Sequence, residues 1–470
     1  MPRYVQVSIN LAQIDGAYDY VIPPEMEAVL KPGCLVIVPF NKRLVQGVTL
    51  GFVSEPAVPQ PLEIHALLSP ETVFTPQQLE LASWLAAASF APLGACIRLM
   101  IPAGLSQHAD IRVERVEGAT AQAELPTLQR RLLNLLESRG SLRGAQIDRA
   151  IPKLDWHGSL EKLRRAGLVR VSNVLLPPRV SAKTVISVQA SLSTEEMAGL
   201  DDRLLGVKPE VRARRKAILQ QLAGEPFPTN LSWIYAQSGA SYADLTYLAE
   251  KGFLHFDETE VWRDPIEQIQ PATNLPPMLT EDQQVVWRSL APTLGQPGQH
   301  PALLHGVTGS GKTEIYLRAV AEALSHGKQS LFLVPEIAMT PQTVRRLMAR
   351  FPNQVGLYHS KLSEGENYDT WRRARKGELK VIIGSRSALF LPLPNLGLIV
   401  LDECDHESYD ETERVPFYHA VETAEAYARI ASADLILGSA TPRITQYFKA
   451  KTGDWRLYEL PRRVLTFSKA

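Results

Sequence analysis

The chain has 470 residues, enough for about three domains, and its 45% apolar and 21% charged side chains are a globular composition that excludes wholesale disorder. No run of about 18 apolar residues occurs, which excludes a membrane-spanning helix, and the opening MPRYVQVSINLAQ has no positive-then-apolar signal, so a cytoplasmic location is expected. Fifty acidic residues balance fifty basic ones, so nucleic-acid affinity must come from patches, and three scattered cysteines, Cys34, Cys96 and Cys404, exclude a disulfide scaffold or a four-cysteine zinc site.

Residues 3–53 are short apolar runs (YVQVSIN, YDYVIP, CLVIVPF, VTLGFV) broken by Gly16, Pro23-Pro24, Pro32-Gly33 and Asn41. The spacing predicts a small β-rich domain over 1–106, a barrel or sandwich. A helix from about Thr75 to Ala88 closes it, opening on a threonine cap and a proline. Residues 107–126 are polar and read as a linker.

An internal echo follows. Leu160, Leu163 and Gly167 recur at Leu245, Leu248 and Gly252, 85 residues on, and each glycine precedes an apolar pair, Leu168-Val169 or Phe253-Leu254. Helix, helix, helix, then a β-wing is the order of a winged helix. It predicts two winged-helix-like α+β units, at 127–180 and 211–262, joined by a mostly polar connector over 173–210. Lys162, Arg164 and Arg165 on the third helix make the first copy the candidate to touch DNA, whereas the second copy offers only Lys251 there.

Residues 264–278 are proline-rich and read as a linker. Beyond them apolar strands alternate with helices: ALLHG, SLFLVPE, VGLYHS, KVIIGS, LGLIVLDE and DLILGSATP. Such alternation means a parallel sheet covered on both faces, so 275–463 is expected to be one α/β lobe with a phosphate loop. That loop is Gly306-Val307-Thr308-Gly309-Ser310-Gly311-Lys312-Thr313, a G-x-x-x-x-G-K-[ST] match between a strand and a helix. Its glycines let successive N–H groups turn toward an anion, Lys312 reaches the terminal phosphates, and Thr313 offers a hydroxyl to Mg²⁺. Asp402-Glu403 ends the strand LIVL. Asp402 can hold Mg²⁺ through water and Glu403 can polarise the attacking water, although an acid pair there often merely caps a helix. Ser439 and Thr441, in GSATP, suit a loop that senses the acidic strand, although a tight turn would be the plainer reading of that stretch alone. ATP and Mg²⁺ are the expected cofactors, and no zinc is expected.

HGVTGSGKTEIYL, VPEIAMTPQ, YHSKLSEGE, GSRSALFLPLPNLGLIVLDE and GSATP together resemble the primosomal protein N′ (PriA) family of superfamily 2 DNA helicases, as do AYDYVIP, KPGCLVIVPF and APLGACIRLMIPAGL near the N-terminus. The resemblance covers most of 1–105 and 275–463. It implies a RecA-like lobe and a 3′→5′ helicase that binds abandoned forks at the nascent 3′ end and reloads the replisome. Forked DNA, single-strand-binding protein and primosome proteins are the implied partners. Gln283 resembles the family's adenine-contacting glutamine. Tyr18 and Asp19 match an aromatic–acid pair on the terminal nucleotide, where a ring can stack on a base and a carboxylate can accept the 3′-hydroxyl proton. His65 stands in place of the family's basic partner, and Arg386 in GSRSALF is expected to contact DNA.

Three departures accompany the resemblance. The usual D-E-E-H reads Asp402-Glu403-Cys404-Asp405, with His406 displaced by one place, which puts coupling through the histidine position in doubt. The aromatic-rich loop from Tyr409 to His419 lacks its usual tryptophan, and Val421 stands where an arginine is expected. The family also continues into a cysteine-rich zinc region and a second RecA-like lobe that supplies an arginine to the phosphates, worth about 10³–10⁵ in rate. Two readings follow, a shortened restart helicase and a fork-binding module with nucleotide binding but no motor activity. A kinase-like phosphate-loop enzyme is disfavoured by GSATP and VPEIAMTPQ.

Overall fold

The computed structural model describes residues 4–10, 14, 16–41, 43–68, 71–102, 105, 109–116, 118–119, 125–151, 156–175, 183–192, 196–197, 199–223, 229–266, 276–296, 298 and 300–464. The chain divides into two compact units, Met1–Val180 with Pro265–Ala470, and Ser181–Asp264. No helix among the described residues is long and apolar enough to cross a membrane.

The N-terminal runs form one antiparallel sheet of β1 (Tyr4–Ile9), β2 (Ala17–Val21), β3 (Leu35–Phe40), β4 (Arg43–Val53) and β5 (Ala66–Leu67), in the order β2-β1-β4-β3-β5. Val5, Val7, Val36 and Val38 alternate inward and are fully buried, as a half-buried sheet requires. Helix α1 (Pro76–Ser89) opens on Thr75 in a capping box with Gln78, and α2 (Leu93–Met100) follows. The apolar faces of α1 and α2, with Leu81, Leu85, Ile97 and Met100, share one core with Leu389, Leu391 and Tyr427 of the C-terminal lobe. Gln78 Nε2, fully buried, also donates to the Phe390 carbonyl at 2.8 Å. The β-domain is therefore seated on the lobe through these two helices.

Next come β6 (Ala109–Arg115), α3 (Thr127–Arg139), β7 (Leu142–Arg143), α4 (Gly144–Ala150), α5 (His157–Arg165) and β8 (Val169–Leu175), with sheet order β7-β6-β8. Strand β6 occupies part of the segment read as a linker. Ile111 and Val113 alternate with Arg112 and Glu114, and this short period-2 signal is outweighed by polar neighbours until Val113 finds a core.

The second unit holds β9 (Lys183–Ala190), α6 (Pro209–Ala223), β10 (Thr229–Asn230), α7 (Leu231–Ser238), α8 (Tyr242–Glu250) and β11 (Leu254–Val261), with sheet order β10-β9-β11. Strand β9 and the start of α6 lie in the segment read as a connector. Both modules thus run strand, helix, short strand, helix, helix, strand, with the first strand central. Leu160 and Leu163 in one, and Leu245 and Leu248 in the other, are buried at equivalent places.

Asp244 organises the second unit. At 2% exposure it accepts from Arg214 Nε (2.9 Å), Arg215 Nε (3.0 Å) and Ser241 Oγ (2.7 Å). Burial works to raise its pKa, but the hydrogen bonds from Arg214, Ser241 and Arg215 together outweigh it and hold the carboxyl well below the usual carboxylate range. Such a depressed folded pKa contributes stability that is complete above the unfolded value, about 4, and is lost as pH falls below it. Asp244→Asn is expected to cost about 2–3 kcal/mol. The loss should appear as faster amide exchange over residues 183–261, and unchanged exchange would contradict this account.

The C-terminal lobe begins with α9 (Glu281–Leu290). It continues through β12 (Ala302–Gly306), α10 (Lys312–Ser325), β13 (Gln329–Leu333), α11 (Pro341–Arg350), β14 (Val355–Tyr358), α12 (Glu364–Arg375) and β15 (Val381–Gly384). After β16 (Leu396–Leu401), a small hairpin of β17 (Asp410–Glu411) and β18 (Tyr418–His419) leads to α13 (Ala420–Ala431), β19 (Asp434–Ser439), α14 (Ile444–Thr452) and β20 (Arg456–Leu460). The seven-stranded sheet is parallel throughout, in the order β14-β15-β13-β16-β19-β12-β20. Its strands are apolar on both faces because helices cover both, as a RecA-like lobe requires. Strand β19 lies between β12 and β16, so three chemically distinct loops meet at their C-terminal ends.

Candidate functional site

The phosphate loop leaves β12 and enters α10 through Gly311, whose left-handed backbone (φ 80°) excludes a side chain; a Cβ there would also overlap the Gln283 amide. Gln283 is buried. Its Oε1 accepts from Thr280 N–H (3.0 Å), and its Nε2 donates to the Ser310 carbonyl (3.0 Å), tying α9 to the loop. Lys312 Nζ donates to the Gly306 carbonyl at 2.7 Å. Burial pushes the Lys312 pKa down, against the opposing pull of Asp402, Glu403 and Asp405.

Asp402 follows β16. Its Oδ1 accepts from Tyr316 Oη (3.0 Å) and from Glu403 N–H (3.1 Å), and its carbonyl accepts from Tyr409 Oη (2.8 Å). Burial raises the Asp402 pKa above the usual range, against the Tyr316 hydrogen bond and the Lys312 charge. Tyr316 reaches it only because Gly438 has no side chain, since a Cβ there would overlap the phenol oxygen. Glu403 takes a left-handed backbone (φ 51°), a conformation that costs a non-glycine residue about 1–3 kcal/mol and gathers at functional sites.

Asp405 stands where the D-E-E-H pattern has histidine. Its carboxylate accepts from both Ser439 Oγ and Thr441 Oγ1 (2.9 Å), joining the acidic strand end to the GSATP loop. Arg443, which the sequence reading passed over, extends the network. It donates Nε to the Asp405 carbonyl (3.3 Å) and Nη2 to Asp410 Oδ2 (2.9 Å) on the hairpin. Asp410 also faces His419 Nε2 at 3.3 Å. Arg386, expected on DNA, has its guanidinium on the Asp410 carbonyl and on Glu411 (2.7 Å), beside the Tyr418 ring. The only sequence signal for Arg443 was its place directly after GSATP.

A cavity of about 780 Å³ opens over this junction, lined by Thr308, Lys312, Thr313, Asp402, Glu403 and Arg346 among others. The donor set fits a magnesium nucleotide. Ser310 Oγ is buried with no hydrogen-bond partner, Thr313 and Asp402 offer hard oxygens, and Lys312 offers charge. Arg346 and Arg350 of α11 also line it and were missed; Arg350 is engaged by Glu314 at 3.1 Å.

Tyr18 and Asp19 lie on β2, the edge strand of the N-terminal sheet, away from this junction. Neighbours on a strand face opposite ways. The Tyr18 ring packs edge-on against Phe40 (centroids 5.0 Å apart), while Asp19 Oδ2 accepts from Ala57 N–H (2.6 Å). Asp19 Oδ1 is buried with no hydrogen-bond partner, an acceptor in want of a donor. Residues 62–64 run alongside the end of β2 through backbone bonds at Val21, and exposed His65 follows, its N–H donating to the Ile37 carbonyl of β3 at 2.9 Å.

These features define a helicase-class lobe, and the family model for the DEAD/DEAH box helicase matches residues 280–448. A second model, the 3′DNA-binding domain of PriA, matches residues 6–102. Over 98% of its length the chain is similar to replication restart protein PriA: 34% identical to the Bacillus subtilis and Synechocystis proteins and 30% to that of Chlamydia pneumoniae. It covers 56%, 55% and 51% of those three proteins, so it spans about half the length of the curated relatives it matches.

Proposed function

We propose that the chain binds forked DNA at the nascent 3′ end and Mg·ATP on its C-terminal lobe, as part of a replication-restart helicase that unwinds 3′→5′ for primosome assembly. The observation that carries this reading is the meeting of the phosphate loop, Asp402-Glu403 and Ser439/Thr441 at the C-terminal ends of three neighbouring strands, with Asp405 bonded to both hydroxyls. Lys312 and the loop N–H groups hold phosphate, Thr313 and Asp402 hold Mg²⁺, and Glu403 orients water. When bound, the metal neutralises charge on the terminal phosphates. Gln283 positions the loop from the base side. Unwinding needs a second lobe and its arginine, so residues 1–470 alone are expected to bind nucleotide and hydrolyse it slowly on DNA.

Asp19 Oδ1 reads the 3′-hydroxyl with His65 at the rim, while Tyr18, on the opposite face of the strand, packs against Phe40. The two strand–helix modules are winged-helix spacers, and the first, with exposed Lys162, Arg164 and Arg165, contacts DNA phosphates. Single-strand-binding protein and primosome proteins are the proposed partners, in the cytoplasm.

Calorimetric titration with Mg·ATP tests the lobe; no heat at millimolar ligand would remove the enzyme reading. Fork binding tests the end reader. Asp19→Ala should weaken binding to 3′-hydroxyl forks by about tenfold, one charge-assisted hydrogen bond, and leave blunt duplex unaffected. Equal loss on both substrates at fixed salt would discard end recognition.

A further inference from the structure

The phosphate loop is gripped from outside as well as from α9. Val307 N–H donates to the Leu460 carbonyl (3.2 Å) at the end of β20, and Val464 N–H donates to the Gly309 carbonyl (2.9 Å). Between these two anchor points stands Arg462. Its Nε donates to Asp282 Oδ2 at 2.8 Å, its Nη2 donates to Asp282 Oδ1, and Glu281 lies 4.0 Å away. Asp282 sits in the first turn of α9 beside Gln283, the residue that holds the Ser310 carbonyl. The contacts close a ring: loop, Val464, Arg462, Asp282, Gln283, loop. Val464 also lines the nucleotide cavity.

We infer that Arg462 is a positioning residue for nucleotide binding, acting through Asp282 and Gln283 on the phosphate loop. This rests on the nucleotide reading above. The Arg462 guanidinium is spent on Asp282 and points to solvent at 66% side-chain exposure, so its effect is indirect. Holding Asp282 fixes the rotation of the first turn of α9. Gln283 then stays on the Ser310 carbonyl, and the following N–H groups keep facing the anion. Release of the pair lets α9 and residues 461–464 drift apart, and a loop that must reorganise before it binds does so with lower affinity. The fork-binding edge at Asp19 lies in a separate core and is untouched.

The test is titration of the 470-residue chain with a fluorescent ADP and Mg²⁺. Arg462→Ala and Asp282→Ala should each weaken binding about two- to fivefold, the range of an exposed bidentate pair, and Arg462→Asp about tenfold through like-charge repulsion. Combining Arg462→Asp with Asp282→Arg should restore affinity to within about twofold of the parent, a rescue that general loosening of the fold would not give. Fork binding and the unfolding midpoint should stay constant in all of them. Parent-like affinity in Arg462→Ala, or failure of the swapped pair to recover, overturns the inference. A parent chain that binds no ADP at millimolar concentration overturns the nucleotide reading instead.

Discussion

Lys312→Ala is expected to weaken Mg·ATP binding by on the order of 100-fold or more while leaving fork affinity nearly unchanged. Lys312 is half-buried at the mouth of the loop, within the field of Asp402, Glu403 and Asp405, and its ammonium already bonds a loop carbonyl. Burial lowers its pKa, and the three facing carboxylates pull the other way, toward the charged form. An arriving phosphate adds negative charge and strengthens that hold. With alanine there, the carboxylates face the triphosphate with nothing between, so the loss exceeds that of one neutral hydrogen bond. The proposed DNA-end reader sits on the edge strand of a different sheet with its own core, so the variant should separate the two activities. Titration calorimetry for nucleotide and fork anisotropy at fixed salt measure both. A parallel collapse of fork binding would mean that the lobe itself grips the fork.

Much of this architecture was legible from chain patterning. Continuous apolar strands such as LIVL can be satisfied only inside a parallel sheet, and the phosphate loop carries its strand and helix with it, so the lobe could be read directly. The glycine and leucine echo at an offset of 85 likewise exposed the paired modules. The central strands β6 and β9 were missed because β6 has a short alternation crowded by charge, and β9 lies within a stretch whose overall composition is polar. Asp405 was doubted because a family pattern predicted histidine, whereas a carboxylate accepts two hydroxyl hydrogen bonds as readily as the site needs. Arg443, Arg462 and Tyr316 were invisible for a different reason. Their partners lie 33, 180 and 86 residues away, and no local pattern encodes a contact closed by the fold.

Asp405→Asn and Arg443→Ala are expected to separate nucleotide binding from DNA binding without abolishing either. Asp405 accepts from Ser439 and Thr441, and Arg443 joins the Asp405 carbonyl to Asp410, where the β17–β18 hairpin and Arg386 meet. Every link is a direct hydrogen bond to a charged group, so a change at the phosphates has a route to the hairpin through it. Linkage makes the measurement reciprocal. If Mg·ADP alters fork affinity in the parent by a typical allosteric factor, roughly five- to 150-fold, fork DNA must alter ADP affinity equally. In Arg443→Ala both factors should shrink toward one, because the guanidinium is the sole described bridge between the Asp405 carbonyl and the Asp410 carboxylate. Asp405→Asn should act more weakly, since an amide oxygen still accepts one hydroxyl, whereas Asp405→Ala should match the arginine variant. Retention of full coupling in Arg443→Ala would place the path elsewhere, with the Tyr409 hydroxyl on the Asp402 carbonyl as the next contact to break.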